Sequence, residues 1–416
     1  MKEVLDKIKP TAEERESFRK IVNSFISRLN PRLKPAAAVL GGSGSKQTWL
    51  SNSHDIDIFV LFPYKKYKEK SSELSNFLEP GLTKAFPGLK INRLKGSRDY
   101  FQIDFQNFRF EIVPILKISK ANQAVNITDA SPLHTKWVNK KAAKIKDEIM
   151  LAKQFCKANR LYGAESYIGG FSGYVLEILT ANYGSFINLL KAASRWRIRE
   201  VIDIENHYPK KNAFSELNQS KLISPFIVID PVDKNRNAAA ALTMDKFLLL
   251  KKIAAEYLGN PLEDWFVHEE INLKYLKNLA KKEGSNLIYL AVSTKKNKED
   301  VMGMKLLKAY SLINKKLEPF SIIKSGWEWD KKWPAQFYFL VKKKELEKEE
   351  IKIGPPLKME MYVKQFKKKY KLTFIKDERI MAKVKRRNPK IKDFMNQVLK
   401  QPYLKEKIKA VNFKVM

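Results

Sequence analysis

Hydrophobic residues along the first third of the chain switch between a period of two and a period of three to four, which predicts strands and helices in succession. Thr11-Ala-Glu-Glu14 has the S/T-x-x-E pattern of a helix start, and the helix behind it runs to about Arg28. Ala36–Leu40 reads as a short buried strand closed by the turn cluster Gly41-Gly-Ser-Gly-Ser45. Asp55–Phe62 is a strand with Asp55, Asp57 and Phe59 on one face and Ile56, Ile58 and Val60 on the other. The Lys/Tyr run to Lys70 starts another helix, and Tyr100–Phe105 and Phe108–Ile115 form a hairpin turning at Gln106-Asn107. Beyond Trp137 the helical period takes over. Ile145, Ile149, Ala152 and Cys156 line one apolar face that ends at Tyr162-Gly163, and helices follow over Gly173–Asn182 and Ser185–Ala193. After a turn-rich stretch at 208–212 come a strand, Phe226–Asp230, and a helix capped by Thr243 that stops at Gly259-Asn-Pro261. The last part mixes strands (Asn286–Val292, Phe337–Val341) with helices such as Lys343–Ile351. The expected fold class is α+β and multidomain: a mixed-sheet head over 1–138, a helical central domain over 139–260, and a basic α+β body and tail over 261–416.

Composition narrows what such a chain can do. Its 416 residues carry 80 Lys and Arg against 45 Asp and Glu, a formal net charge of +35. With 44% hydrophobic residues it can bury cores, so it is no disordered basic tail. One cysteine, Cys156, excludes a disulfide scaffold, and four scattered histidines without an HExxH pair exclude the common zinc enzymes. The N-terminus lacks the apolar core of a signal peptide, and the apolar runs are only strand-length, so no membrane is expected and the cytoplasm is. A lysine-rich thermophilic surface would bring matching glutamates, which are missing here. Charge on this scale calls for a large polyanion, and nucleic acid fits best. It is densest at the end: residues 363–416 hold 18 Lys and Arg against 4 Asp and Glu.

The sharpest chemistry lies in Gly42-Ser43 followed, after eleven residues, by Asp55-x-Asp57. Two carboxylates on one strand face repel each other unless a cation bridges them, and Mg²⁺ suits such hard oxygen donors shared with substrate phosphates. The Gly-Ser turn offers backbone N–H groups and a hydroxyl to a phosphate. A third carboxylate on a neighbouring strand would complete a two-metal site for phosphoryl or nucleotidyl transfer. Glu111 qualifies, and Asp104 competes for the place. The plain alternative is a turn followed by solvated aspartates.

These residues resemble a known family. Gly42-Ser-Gly-Ser-Lys46-Gln-Thr-Trp-Leu50 leading to Asp55-Ile-Asp57 is similar to the signature of archaeal class I CCA-adding enzymes, tRNA nucleotidyltransferases of the polymerase-beta-like superfamily. The likeness continues in order through Phe110-Glu-Ile-Val-Pro114, Thr128-Asp-Ala-Ser-Pro-Leu-His134, Leu151–Phe155, Gly170-Phe-Ser-Gly-Tyr174 and Asp230-Pro-Val-Asp-Lys-Asn-Arg-Asn237. It spans most of residues 10–260 and, more faintly, the rest.

The resemblance implies addition of C, C and A to the 3′ end of tRNA from CTP and ATP without a nucleic-acid template. Asp55, Asp57 and Glu111 would be catalytic and hold two Mg²⁺ ions. Ser43 and Lys46 would grip the β- and γ-phosphates, His134, Lys153 and Tyr162 would add triphosphate or sugar contacts, and Arg236 would face the base. The partners implied are the tRNA acceptor arm, CTP and ATP, with a homodimer left open and no membrane. Four positions depart from the family pattern: Asp55 stands for Glu, Glu111 for Asp, Ala130 for Arg, and Gly169 for a basic residue. The alternatives are another RNA 3′-extending enzyme, of the poly(A) polymerase or oligoadenylate synthetase type, or an RNA-binding protein with a dead head.

Overall fold

The computed structural model describes all residues except 52, 54, 210–212, 269, 332 and 333. The turn expected over 208–212 therefore lies partly outside the described residues. The chain forms two compact units, Met1–His268 and Glu269–Met416.

In the first unit β1 (Ala37–Leu40), β2 (Asp55–Pro63), β3 (Asn92–Leu94), β4 (Tyr100–Phe105) and β5 (Phe108–Lys117) make one sheet in the order β1-β2-β5-β4-β3. Only β2 and β5 run parallel, so the sheet is mixed, and their register sets Asp57 opposite Glu111. Alternation along β2 buries Ile56, Ile58 and Val60 on the face covered by the helices Ala12–Leu29 and Leu74–Ala85. Phe25 of the first helix lies flat on Phe110 of β5, with ring centroids 3.9 Å apart. Burying side chains of this size contributes about 1.5–3 kcal/mol each, and it leaves the carboxylate positions on the open face. The capping box at Thr11 forms, with Glu14 and Thr11 bonding each other's backbone N–H. The β4–β5 hairpin turns through Gln106 and Asn107, both at positive φ as a two-residue turn requires.

A helical part completes this unit. The helix Lys146–Ala158 buries Ile149, Ala152 and Cys156 as the period predicts, but Met150, Leu151, Lys153 and Phe155 are buried as well. It is wrapped by neighbours on more than one side, so one apolar stripe underestimates its contacts. It also ends before Tyr162, where Arg160 takes a left-handed conformation. The helices Gly173–Tyr183, Phe186–Ala193 and Met244–Gly259 pack around the same core, the last capped by Thr243. Two short parallel strands, β6 (Glu200–Ile202) and β7 (Phe226–Val228), lead into the loop that carries Asp230.

The second unit has two antiparallel sheets. β8 (Asn286–Ser293), β9 (Ile322–Glu328), β10 (Ala335–Val341) and the C-terminal strand Lys409–Val415 form the first, backed by the helix Glu299–Leu317. β11 (Glu349–Pro356), β12 (Thr373–Lys376) and β13 (Arg379–Lys385) form the second. The helix expected over Lys343–Ile351 is not there. Leu346 is the single apolar anchor before residue 349, whereas Ile351 and Ile353 alternate with polar residues and pair with β13. Trp327 packs edge-on against Phe337 at 6.3 Å, inside the core cluster of this unit. Among the described residues no helix is long and apolar enough to cross a membrane.

Candidate active site

The open end of the first sheet carries the carboxylates. Asp55 and Asp57 point to the same side of β2, and Glu111 stands beside Asp57 on β5, where Gln102 Nε2 donates to its Oε1 at 2.7 Å. Asp104, the competing third carboxylate, is engaged by Arg109 at 3.0 Å. Burial, followed by the Glu111 charge, pushes Asp57 up to about 6, while Lys46 and Lys153 pull it down. Two facing carboxylates thus oppose each other's ionisation, which is what a bound cation relieves. Nucleotidyltransferases use divalent metal ions. The donors here are all oxygen, anionic and open on one side, and they suit a hard ion that shares its shell with phosphate oxygens. They form an open face: among the described residues no group of three or more His, Cys, Asp or Glu side chains stands close enough together to hold a metal ion as it is.

The glycine-serine cluster, expected as a turn, folds into the short helix Gly42–Lys46 behind Gly41. Gly41 N–H donates to the Asp57 carbonyl at 2.8 Å, which draws this segment onto β2. Gly42 sits at φ +55, and a Cβ there would stand 1.7 Å from Asp57 Oδ2. Only glycine lets the backbone pass that close to the carboxylate. Half-buried Ser43 follows it, and Lys46 at the end of the helix is buried. Asn139 of the helix Ser131–Lys141 ties this segment down by donating to the Ser45 carbonyl at 3.1 Å.

Lys46 and Lys153 converge on one carboxylate. Lys46 Nζ donates to Glu177 Oε2 at 2.8 Å, and Lys153 Nζ to Glu177 Oε1 at 2.7 Å. Thr48 Oγ1 donates to the same Oε1 at 2.8 Å and accepts from Lys153 at 2.8 Å. Burial works to raise the Glu177 carboxyl, but the two ammonium groups overcome it and hold it at about 2. Burial pushes the Lys153 ammonium down while the Glu177 charge holds it up, and both lysines also act on Asp57 close by. Tyr162 lies alongside: a Cβ on Gly173 would meet its Oη at 2.7 Å and Lys153 Cε at 3.5 Å.

A second cluster forms around fully buried Asp230. Arg236 Nη1 reaches Asp230 Oδ2 at 2.5 Å, His134 Nε2 lies 3.1 Å from the same oxygen, and Tyr174 Oη donates to Oδ1 at 3.0 Å. Burial would raise Asp230, but His134, Arg236 and the Val232 N–H hold it well below the usual carboxylate range. Tyr174 also stacks on His134, with centroids 4.1 Å apart, and carries Lys46 Nζ 5.4 Å above its ring. Because Tyr174 and Glu177 are three residues apart, one face of the helix Gly173–Tyr183 organises both clusters.

The structure thus sets Ser43, Lys46, Lys153 and Tyr162 beside the Asp55, Asp57 and Glu111 face, and sets His134 and Arg236 together on Asp230. Sequence reasoning missed the groups that hold these side chains: Glu177, Asp230 and Tyr174. Glu177 left a signal, being a single charge among Val175, Leu176, Ile178 and Leu179. It also missed Arg98, which is buried against Asp129 at 2.5 Å while Asp129 accepts the backbone N–H groups of Leu116, Val125 and Asn126. Arg98 thereby brings a guanidinium next to position 130, where the family's arginine is Ala130. Gly169, at φ +60, has Thr243 Cγ2 2.4 Å from where its Cβ would be, so this backbone has no room for the expected basic residue.

Comparison with known proteins agrees with this layout. Residues 19–134 match the family model described as nucleotidyltransferase domain, 147–267 that of tRNA nucleotidyltransferase, second domain, and 283–409 that of CCA-adding enzyme, C-terminal domain. The chain is 38% identical to a CCA-adding enzyme of Nanoarchaeum equitans over 298 residues, 71% of each chain. It is 30% identical to one of Methanocaldococcus jannaschii over 408 residues, covering 96% of this chain and 90% of that one. Cid1, described as having RNA terminal uridylyl transferase activity, shares the fold at a TM-score of 0.50 and 14% identity, over 65% of this chain and 97% of that one. With models matched in order along the chain and full-length relatives at this identity, the chain belongs to the CCA-adding enzymes.

Proposed function

We propose that the chain adds C, C and A to the 3′ end of tRNA on the carboxylate face of β2 and β5. The observation that carries this reading is the in-register pair Asp57 and Glu111, with Asp55 on the same face, closed over by a glycine-serine helix and bordered by two buried lysines that share Glu177. In each step the terminal 3′ oxygen of the RNA bonds to the α-phosphorus of CTP or ATP. The bond from that phosphorus to the bridging oxygen breaks, pyrophosphate leaves, and the hydroxyl proton is released. Asp55, Asp57 and Glu111 would hold divalent ions, Mg²⁺ in our reading, which supply hydroxyl activation and neutralise phosphate charge when bound. Ser43 and Lys46 bind the β- and γ-phosphates, with Lys153 and Tyr162 beside them. Arg236, held by Asp230, faces the base, and His134 shares that anchor.

In this reading residues 1–138 are the catalytic head, 139–260 the neck, and 261–416 the body and tail that hold the acceptor arm through its phosphates. With a tRNA substrate we place the work in the cytoplasm. We also keep the homodimer, supported by the exposed apolar side chains Ile353, Met361, Leu372 and Ile375 of the second unit; sedimentation at micromolar concentration tests it, and a monomer there removes it.

The deciding experiment supplies a tRNA transcript lacking CCA, with Mg²⁺ and with CTP, ATP or both. Growth by two residues with CTP, and by three and no more with both, is expected. Unlimited A addition would move the chain to the poly(A) type, and no extension would make it a binding protein. Replacing Asp55 and Asp57 by Ala should abolish incorporation with tRNA binding near normal.

A further inference from the structure

The sequence singles out Thr48 in the Thr-Trp-Leu run, and the reaction as described leaves it without a task. In the structure Thr48 is wholly buried, and its hydroxyl bridges Lys153 and Glu177. Glu177 in turn is the one carboxylate that both lysines share. Each lysine arrives from a different element, Lys46 from the end of the helix Gly42–Lys46 and Lys153 from the middle of the helix Lys146–Ala158. A lysine stem is long and flexible, so an ammonium group stands in one place only where something fixes it.

We propose that Glu177 is a positioning residue, the shared carboxylate that holds the two ammonium groups in place and so sets where Lys46 meets an incoming triphosphate, with Thr48 and Lys153 orienting it. The proposal rests on the reading of this face as a nucleotide site.

Three observations support it. The carboxylate divides its oxygens, Oε2 for Lys46 and Oε1 for Lys153 and Thr48, so one rigid group fixes the two cations relative to each other. Lys153 is bound on three sides, by Glu177 Oε1, Thr48 Oγ1 and the Thr48 carbonyl at 3.3 Å, which accounts for all three of its protons. Lys46 has Glu177 and the Tyr174 ring, so its ammonium is the one of the two better placed to turn protons toward a phosphate. Glu177 cannot cancel both charges. Asp57 is the other carboxylate that both lysines act on, and an incoming triphosphate would bring the further negative charge.

Removing Glu177 while leaving both lysines would let the ammonium groups repel each other and drift apart. Nucleotide binding through phosphates would then weaken alike for CTP and ATP, because the triphosphate is common to both. Binding of tRNA would not change.

The test is steady-state extension of tRNA lacking CCA by wild type, E177Q, T48V and T48S. The expected result is a rise of about tenfold or more in KM for CTP and for ATP in E177Q and T48V, a smaller change in kcat, an unchanged KM for tRNA, and recovery in T48S. Affinity for inorganic tripolyphosphate, measured by calorimetry, should fall in parallel. A lower melting temperature with both nucleotide KM values unchanged would overturn the proposal and leave Glu177 a structural residue. If E177Q does not fold, the T48V and T48S pair decides: a wild-type KM in T48V overturns it. Should the wild type fail to extend tRNA, the functional reading fails. The tripolyphosphate measurement then judges Glu177 separately, and equal affinity in wild type and E177Q overturns its role.

Discussion

Replacing Gly42 by Ala should disable the carboxylate face without unfolding the chain. A Cβ at position 42 would stand 1.7 Å from Asp57 Oδ2, 2.5 Å from Cγ and 2.9 Å from Cβ. Because three atoms of the same side chain are hit, rotation of the carboxylate tip does not clear the clash. The whole Asp57 side chain, or the helix Gly42–Lys46, must retreat by more than about 1 Å to reach ordinary contact distance. Alanine also has to adopt φ +55, which costs about 1–2 kcal/mol. Misplacing a reacting group by about 1 Å costs on the order of 10²-fold in rate, so G42A should incorporate CMP about 10²- to 10³-fold more slowly while losing about 2–8 °C of melting temperature. The assay is single-turnover extension of a tRNA lacking CCA, paired with tRNA binding and a thermal melt. Gly88 provides the control, since it sits at φ +81 with no atom within 4 Å of an added Cβ. G88A bears a similar backbone strain and should extend tRNA at the wild-type rate. If G42A matches G88A in rate, the close approach of the turn to Asp57 has no catalytic meaning and this reading of the site is refuted.

Other consequences follow from single contacts. R98A removes the partner of fully buried Asp129, and breaking such a pair from one side costs about 3–5 kcal/mol; a chemical-denaturation midpoint equal to wild type would contradict it. Glu177 stands at about 2 in the folded chain against an ordinary 4.5. A depressed carboxyl stabilises the fold above its unfolded value and loses that contribution as pH falls toward 2. The loss is about 3 kcal/mol, so stability should drop more steeply from pH 5 to pH 2 in wild type than in E177Q, and parallel curves would count against it. Affinity for tRNA should fall by orders of magnitude between about 50 and 200 mM salt, where a flat binding isotherm series would remove phosphate contacts as the main attraction.

What was legible in the sequence is what local pattern controls. The period-two alternation in β2 places Asp55 and Asp57 on the face opposite Ile56 and Ile58, and the positive-φ turn at Gln106-Asn107 brings Glu111 back into the same sheet. Pairing across the sheet then decides between Glu111 and Asp104. That choice depends on β5 running parallel to β2, and no local signal carries it. Lys343–Ile351 shows the converse failure: a lysine- and glutamate-rich run has helix propensity, but the alternation that starts at Glu349 finds a partner in β13, and tertiary pairing outweighs propensity.

The site's electrostatics were least legible, for a physical reason. All lysines look alike in a chain with 80 Lys and Arg, and net charge speaks only of a distant polyanion. Surface lysines are screened and mobile, and they recognise a tRNA collectively. Lys46 and Lys153 differ because water has been taken from them and Glu177 holds both, with Asp57 near enough to feel their charge. A dry charge is costly unless an anion completes it, so it is fixed in place by its partners in a way that solvated charge is not. The acid that reveals this, Glu177, lies on a helix whose neighbouring residues are apolar, and it becomes meaningful only when helices distant in sequence fold around it. Composition therefore names the class of partner, while burial and shared contacts set Lys46 and Lys153 apart from the solvated basic residues.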